Sequence, residues 1–361
     1  MRLGIIGGGQ LARMLALAAY PLGIHCACLD TQADACCGQV MPLTVANFND
    51  KAALTAFAGS VDVLTYETEN LPLAAVEVLA QQGNLLPGIE ALVLTQDRFL
   101  EKNLLNNNQI PTALFYPINA VAELQGALVE LGYPAVLKTR QGGYDGKGQC
   151  IIKSSEDVEA AWQQLDHVPL ILEQFINYEK EVSLVSVRDK SGNIRHYPLT
   201  HNVHQQGVLA FSQAPFDNLG LQLQAQTYME RLLVALSYVG VLTIEFFVKD
   251  HHLIANEIAP RVHNSGHWTI EGTEVSQFEN HVRAVMGLPL GGTQALGFSA
   301  LFNCIGKEPL LADILQVPGA HSHHYGKPAR TGRKLGHVTL HSLDQQSLQL
   351  GIEQVRKIMR A

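Results

Sequence analysis

The segment from Val241 to Ile258 leaves this chain little choice of local structure. Residues 241–248 read Val-Leu-Thr-Ile-Glu-Phe-Phe-Val, and Leu253 to Ile258 repeats that apolar character after the polar turn Lys249-Asp250-His251-His252. Two β-rich runs around a short polar stretch predict an antiparallel hairpin. Centred at His251, the hairpin sets Glu245 opposite Glu257. Directly opposed residues in such a pair point to one face, with Cβ atoms roughly 4.5–5.5 Å apart. Like charges so placed repel, and a divalent cation turns the repulsion into attraction. Mg²⁺ takes hard oxygen donors, commonly one or two carboxylates, with substrate phosphates completing its octahedron. A metal site at Glu245 and Glu257 is therefore favoured over a chance surface pair, and Asn256 stands ready to add an amide oxygen or reach a ligand.

A second hairpin carries different chemistry. Tyr133 to Lys138 and Cys150 to Ile152 are short apolar runs around Arg140-Gln141-Gly142-Gly143-Tyr144-Asp145-Gly146-Lys147-Gly148-Gln149. The pattern predicts two strands joined by a mobile loop. Its glycines free the backbone to lie close against a ligand. Exposed N–H groups beside Lys138 and Lys147 suit a polyphosphate. The loop is not a Walker A motif, because Lys147 is followed by Gly148 rather than Ser or Thr. Taken alone, it is equally a flexible hairpin tip. Downstream, the strand Pro169–Glu173 leads into Glu173-Gln174-Phe175-Ile176, a connection that could serve as a hinge whose backbone pairs with an adenine edge. Glu181 follows, within reach of ribose hydroxyls; an ordinary strand exit is the simpler account of the same residues.

Residues 1–95 alternate strands and helices, which predicts a small parallel sheet. Gly7, Gly9 and Ala12 fit the dinucleotide glycine fingerprint, with Asp30 near the position of its ribose acid. The same turn suits any small phosphate, since a helix N-terminus offers free N–H groups and partial positive charge. The rest of the chain does not continue as a second dinucleotide half. Thr65-Tyr66-Glu67-Thr68-Glu69-Asn70 closes the last clear strand, as either a substrate-contacting loop or a solvated acidic turn. A net charge of −8 argues against a general nucleic-acid or membrane-surface binder. No run is long enough to span a membrane. A strand beginning at Met1 predicts no cleavable signal peptide. Six cysteines without metal-ligand spacing predict reduced, buried thiols and a cytoplasmic protein.

Thr95 is expected to cap a helix running through Arg98 to Asn106, so a domain boundary is placed near residue 95. From 112 to 172 the expected order is helix, strand, glycine loop, strand, helix, strand: a lobe above the main body. Ala259 to Trp268 contains Arg261, His263 and Asn264, a density of polar groups that is costly to bury idle. Arg261 is expected beside the metal carboxylates, where phosphoryl transfer needs a fixed cation. Phe298 onward reads as a small β-rich third domain. It holds Lys327, Arg330, Arg333 and Lys334, the one dense basic segment of an acidic chain. A phosphate-bearing substrate and a solvated basic turn explain it equally. His321, His323 and His324 lack the partners a zinc site needs.

Assembled, these segments resemble the ATP-grasp superfamily and, within it, the carboxylases of purine biosynthesis. GGGQLARM at 7–14, TYETEN at 65–70, RQGGYDGKGQ at 140–149, NEIAPRVHNSGHW at 256–268 and GRKLGH at 332–337 carry the likeness, with YPLTHNVHQQG at 197–207 adding to it. Ala12 stands where those enzymes usually have glycine. The resemblance implies an α/β (α+β ATP-grasp) fold. Its parts would be an N-terminal doubly wound parallel-sheet domain (1–95), a central ATP-grasp domain (96–288, lid lobe about 112–172) and a small β-rich C-terminal domain (289–361). It implies ATP contacts from Arg98, Lys138, Gly143 through Gln149, Glu173 through Ile176, Glu181, His204, Asn256 and Glu257. Mg²⁺ would sit on Glu245 and Glu257. Gly9, Gln10, Tyr144, His263, Asn264, Lys327, Arg333 and Lys334 would face the acceptor or the bicarbonate-derived species, with Asp145, Lys147 and Arg261 as catalytic groups. The implied reaction is ATP-dependent carboxylation of 5-aminoimidazole ribonucleotide with bicarbonate through carboxyphosphate, by a homodimer. A related ligase with another phosphorylated acceptor, a nucleotide-binding regulator without chemistry and an NAD-linked dehydrogenase are the rival readings.

Overall fold

The computed structural model describes residues 1–143, 146–165 and 168–360. Among them the first sheet holds β1 (Arg2–Ile6), β2 (His25–Asp30), β3 (Leu43–Val45) and β4 (Val63–Tyr66). All are parallel, in the order β3-β2-β1-β4. The strand order therefore reverses between β1 and β4, and a crevice opens beyond their C-terminal ends, as parallel sheets place their ligand sites. The Gly7–Gly9 turn and the loop from Glu67 to Asn70 flank that crevice.

The lid lobe is a second sheet of β5 (Phe115–Ile118), β6 (Ala135–Thr139), β7 (Gln149–Ile152) and β8 (Leu170–Gln174), ordered β5-β8-β6-β7 and antiparallel. Leu124 and Leu128 on one helix and Val158 and Ala161 on another cover it. Strand β5 departs from the expected helix-first order. It lies at the sheet edge, where Pro117 costs no ladder hydrogen bond on its open side. A second departure is nearby. Thr95 does not cap the helix Arg98–Asn107 but ends the preceding one, its Oγ1 donating to Ala91 O at 2.7 Å. Asp97 is the cap, accepting from Phe99 N–H and Leu100 N–H.

The main body is one nine-stranded sheet. Its members are β9 (Lys180–Arg188), β10 (Ile194–His196), β11 (Thr200–Gln205), β12 (Val208–Ala214), β13 (Gly240–Lys249), β14 (His252–Ala259), β15 (Phe298–Ile305), β16 (Ala320–His324) and β17 (Lys334–Ser342). The order is β14-β13-β9-β11-β12-β15-β17-β16, with β10 beside β9. The β-rich C-terminal segment thus extends the central sheet through β12 and β15. The chain closes with the helix Gln345–Arg360, absent from the sequence expectation, which buries Leu348, Ile352 and Val355 beside β15 and β17. Among the described residues no helix is long and apolar enough to cross a membrane.

The first sheet joins the body through the helix Gln277–Met286, packed on the helix Gln10–Ala19 with Leu11, Leu15, Phe278 and Val282 buried between. Each such side chain contributes about 1.5–3 kcal/mol. Inside this contact His281 Nδ1 accepts from Val241 N–H at 3.1 Å, so Nε2 carries the proton and donates to Thr65 Oγ1 at 2.9 Å. Burial pushes this imidazole down to about 4. The unfolded chain takes up a proton below about 6.5 that the folded protein refuses. The stabilisation is therefore whole above that value and is lost as pH falls toward 4. Going from pH 7 to pH 5 removes roughly 2 kcal/mol through this group. Urea melts at the two pH values are expected to show a smaller loss for His281→Gln than for the parent; equal losses would remove His281 as the cause.

Candidate active site

The floor of the site depends on one irregularity. The β13–β14 turn is the two residues Asp250 and His251, both at positive φ (49° and 63°), with Lys249 already paired to His252. A regular ladder from this turn would set Glu245 against Asn256 and swing Glu257 to the core face beside Ile244. The register instead shifts between Glu245 and Phe246, so Glu245 pairs with Glu257. Asn256 is the extra residue of a β-bulge, and a one-residue slip moves a side chain to the opposite face. The pairing read from the sequence is present, reached by a tighter turn plus a bulge rather than by a turn centred on His251. Glu245 is 13% exposed and Glu257 43%. Burial first, then the Glu257 charge, pushes the Glu245 carboxyl up to about 8. His263 Nε2 lies 3.3 Å from Glu245 Oε1, and its Nδ1 is 2.8 Å from Ser265 Oγ. Burial and the neighbouring Arg261 hold His263 neutral.

Above this floor lies a cleft of about 1060 Å³ between body, lid and first sheet. Two lysines crowd one carboxylate on its lid side, and a third cation beside them reaches the floor carboxylate. Lys138 Nζ is 2.9 Å and Lys102 Nζ 3.2 Å from Glu173 Oε2, and Arg98 reaches Glu257 Oε2 at 3.7 Å. Burial alone would raise Glu173, but Lys102 and Lys138 outweigh it and hold the carboxyl down to about 2. Burial lowers Lys138, and the nearby Lys102 and Arg98 add to that against the pull of Glu173. The surplus positive charge is what a polyphosphate would neutralise. Glu173 Oε1 is buried with no partner among the described residues. Gln174, Phe175, Ile176, Glu181, His204 and Asn256 line the same cleft. His204 Nδ1 contacts Glu181 Oε2, which raises the imidazole against its burial.

The glycine loop is tied down where it leaves β6. Arg98 donates to Gly143 O at 3.0 Å, and Arg140 makes a bidentate pair with Asp97 at 2.7–3.0 Å. Gly146, at φ 75°, lies so near the Gln206-Gly207 turn that a Cβ would meet Gly207 Cα at 3.0 Å. Gly143, Gly146, Lys147 and Gln149 line the cleft; Gly148 O accepts from Thr139 N–H instead. Tyr144 and Asp145 lie outside the described residues.

On the opposite wall the helix Gln10–Ala19 starts at Gly9, which has no side chain to cap it. Glu67 takes that place, accepting from Gly9 N–H at 3.0 Å, Leu11 N–H at 3.2 Å and Ala12 N–H at 3.3 Å. The donors expected to bind a small phosphate are held by the protein's own carboxylate, and Asp30 accepts from Gly8 N–H rather than facing a ribose. Burial raises the Glu67 pKa despite those bonds. Glu69 forms a bidentate pair with Arg261, which overcomes burial and lowers the Glu69 pKa. Gln10 Oε1 accepts from Lys327 Nζ, joining positions 317 apart in sequence. Arg261, His263, Asn264, Lys327, Arg333 and Lys334 all line the cleft. Both amide atoms of Asn264 are buried without a partner among the described residues. Sequence reasoning overlooked Glu101 and Lys102, buried to 2% and 1% exposure. Their signal was charge at the first and second positions of a helical face completed by Leu105.

Three family models match successive stretches of the chain. Residues 1–96 match a ribonucleotide synthetase preATP-grasp domain, 103–278 an ATP-grasp domain and 299–350 a phosphoribosylaminoimidazole carboxylase C-terminal domain. The chain is 48% identical to the N5-carboxyaminoimidazole ribonucleotide synthase of Pseudomonas aeruginosa over 361 residues, all of both chains. It superposes on the crystal structure of N5-carboxyaminoimidazole ribonucleotide synthetase from Thermus thermophilus with a TM-score of 0.95 and 46% identity, covering 99% of this chain and 98% of that one. The Aspergillus clavatus N5-carboxyaminoimidazole synthase, crystallised with ADP and 5-aminoimidazole ribonucleotide, matches at TM-score 0.93 and 29% identity over 99% and 98% of the two chains.

Proposed function

This chain belongs to the N5-carboxyaminoimidazole ribonucleotide synthase family, and from that premise we propose how its residues divide the reaction. The protein is an ATP-dependent ligase of purine biosynthesis. It carboxylates 5-aminoimidazole ribonucleotide with bicarbonate at the expense of ATP. The observation that carries the residue assignment is the Glu245–Glu257 pair, turned into the cleft by the bulge at Asn256.

Two hard-oxygen donors that repel one another, one largely buried and one half-exposed to the cleft, suit Mg²⁺, and the open side of the cleft leaves room for phosphate oxygens to complete its shell. Bound there with ATP, the ion would screen the triphosphate and polarise the γ-phosphoryl group. Glu245 and Glu257 would hold it, with His263 orienting Glu245 as an outer-shell donor. Lys138 and Arg98 bind the phosphates. Glu173 to Ile176 border the adenine, Glu181 with His204 borders the ribose, and Asn256 lies beside Glu257 within reach of the nucleotide. Bicarbonate oxygen attacks the γ-phosphorus, the bond to ADP breaks, and carboxyphosphate forms. Arg261 stabilises the charge on the transferred group.

The exocyclic amine of the ribonucleotide then attacks the carboxyl carbon, the carbon–oxygen bond to phosphate breaks, and the amine gives up a proton. Asp145 is the proposed acceptor of that proton and Lys147 an anion partner, with Tyr144, His263, Asn264 and Gln10 against the acceptor, while Gly9, its N–H held by Glu67, only starts the helix that carries Gln10. Lys327, Arg333 and Lys334 would take its phosphate. Carboxyphosphate is labile in water, so the glycine loop closes over it. The functional units are taken as 1–95, 96–288 and 289–361. A cytoplasmic location is supported by six unpaired cysteines. A homodimer is the further expectation, supported only by exposed Leu310, Leu311, Leu315 and Leu343 in the C-terminal segment.

The test is bicarbonate-dependent ADP release with and without 5-aminoimidazole ribonucleotide. Strong stimulation by that ribonucleotide and none by other phosphorylated amines is expected. Equal stimulation by a different acceptor would transfer the assignment to a related ligase.

A further inference from the structure

We propose that Glu101 and Lys102 are positioning residues for the metal carboxylate Glu257, acting by gripping the bulged strand β14 through its backbone. The inference rests on the reading of Glu245 and Glu257 as metal ligands.

A bulge opens the ladder where it occurs, and β14 is the outermost strand of its sheet on that side. Its outward N–H and C=O groups therefore need partners from elsewhere, because buried backbone polar groups are paired almost without exception. Ala255 N–H donates to Pro111 O at 2.7 Å. Lys102 Nζ donates to Asn256 O at 3.2 Å, and Glu101 Oε1 accepts from Ile258 N–H. The two anchored groups sit immediately before and after Glu257. Both anchors come from one turn of the helix Arg98–Asn107, and Arg98, on the same face, contacts the Glu257 carboxylate itself at 3.7 Å.

Charged side chains this buried are rare unless each has a definite partner. Lys102 has two, Asn256 O and Glu173 Oε2, so the strand carrying Glu257 is also linked to the carboxylate that holds Lys138. Without the two anchors the outer edge on either side of Glu257 loses its backbone partners, and the Ala255 N–H bond to Pro111 O lies before the bulged residue, where it does not by itself keep the bulge from annealing. The regular register would carry Glu257 from the cleft to the core face. Glu101 and Lys102 thus fix which face Glu257 occupies, acting through the backbone on either side of it.

The experiment measures Mn²⁺ binding to the full chain at saturating ADP, read from the paramagnetic resonance signal of free Mn²⁺. Glu101→Leu, Glu101→Gln and Lys102→Met are compared with the parent and with Glu257→Gln. ADP binding without metal is measured for the Glu101 variants. Glu101→Leu and Lys102→Met are expected to weaken Mn²⁺ about tenfold, the scale seen when a group that orients a metal ligand is lost. Glu101→Gln keeps an oxygen for Ile258 N–H and should bind Mn²⁺ like the parent, with metal-free ADP binding unchanged in both Glu101 variants.

Parental Mn²⁺ affinity in Glu101→Leu and Lys102→Met, with Glu257→Gln weakened, overturns the positioning role and leaves the metal pair standing. Parental affinity in Glu257→Gln as well overturns the metal assignment on which the role depends. Equal loss of metal-free ADP binding in Glu101→Leu would show general damage to the cleft and also overturn it. Should Glu101→Leu fail to fold, Glu101→Asp, one methylene short of Ile258 N–H, is read by the same outcomes.

Discussion

Glu257→Gln and Glu245→Gln are each expected to lower kcat about 1000-fold while leaving the fold intact. A bound cation supplies several kcal/mol of charge stabilisation to phosphoryl transfer, and about 4 kcal/mol corresponds to that factor. An amide keeps the size and one oxygen of each side chain but removes the charge that makes the pair a cation site. The metal-free proteins should behave in the opposite sense. Glu245 is pushed up to about 8, so above that pH its largely buried charge faces the half-exposed Glu257 carboxylate. A raised carboxyl pKa means the folded state binds more protons than the unfolded one between about 4.5 and 8, and stability falls as pH rises through that window. Glu245→Gln should therefore melt no lower than the parent at pH 9 without metal, and higher if the repulsion is fully expressed. Activity within tenfold of the parent across a magnesium titration would remove the metal assignment. A clear drop in melting temperature at pH 9 would remove the account of the repulsion.

Arg261→Lys should cost about 100-fold in kcat with a much smaller change in KM for ATP, the size of effect found when one fixed donor to a developing charge is lost. Arg261 presents two guanidinium nitrogens to the two oxygens of Glu69, a fork that fixes its plane on the wall of the cleft that Glu245 and Glu257 also line. Lysine reaches one oxygen only and cannot hold that plane. Glu69 in turn is placed by its own backbone: Gln96 Nε2 donates to Glu69 O at 2.6 Å and to Leu71 O at 2.8 Å. The loop after β4, Gln96 and the Arg261 guanidinium are thus one assembly. Glu69→Gln should fall between the parent and Arg261→Lys, because the amide still accepts one bond. A kcat within twofold for Arg261→Lys in single-turnover ADP release would show that this guanidinium serves the interface of the two sheets and not the chemistry.

Much of the site was legible because its parts are local. Strand–turn–strand runs around Asp250 and around Gly142 to Gly148 follow from neighbours a few residues apart, and Lys138 could be placed at a strand end for the same reason. The helix Gln345–Arg360 was equally local. Leu348, Ile352 and Val355 recur at helical spacing, directly after a segment of short β-like runs. The cap at residue 97 was harder. Thr95 and Asp97 are both good capping types, and the Arg140 guanidinium on Asp97 is a partner 43 residues away.

The sequence by itself determined that two acids would share a hairpin, that a glycine loop with two lysines would follow a strand, and, through its likeness to known carboxylases, which reaction these serve. Tertiary structure decided which face each group meets. Glu257 enters the cleft because a bulge at Asn256 is held from outside by Glu101 and Lys102, and Glu67 caps a helix begun 57 residues earlier at Gln10. The physical reason is one of range. Side-chain alternation and turn preference are settled within a few residues, whereas a backbone group freed by an irregular ladder takes whatever partner the fold brings to it.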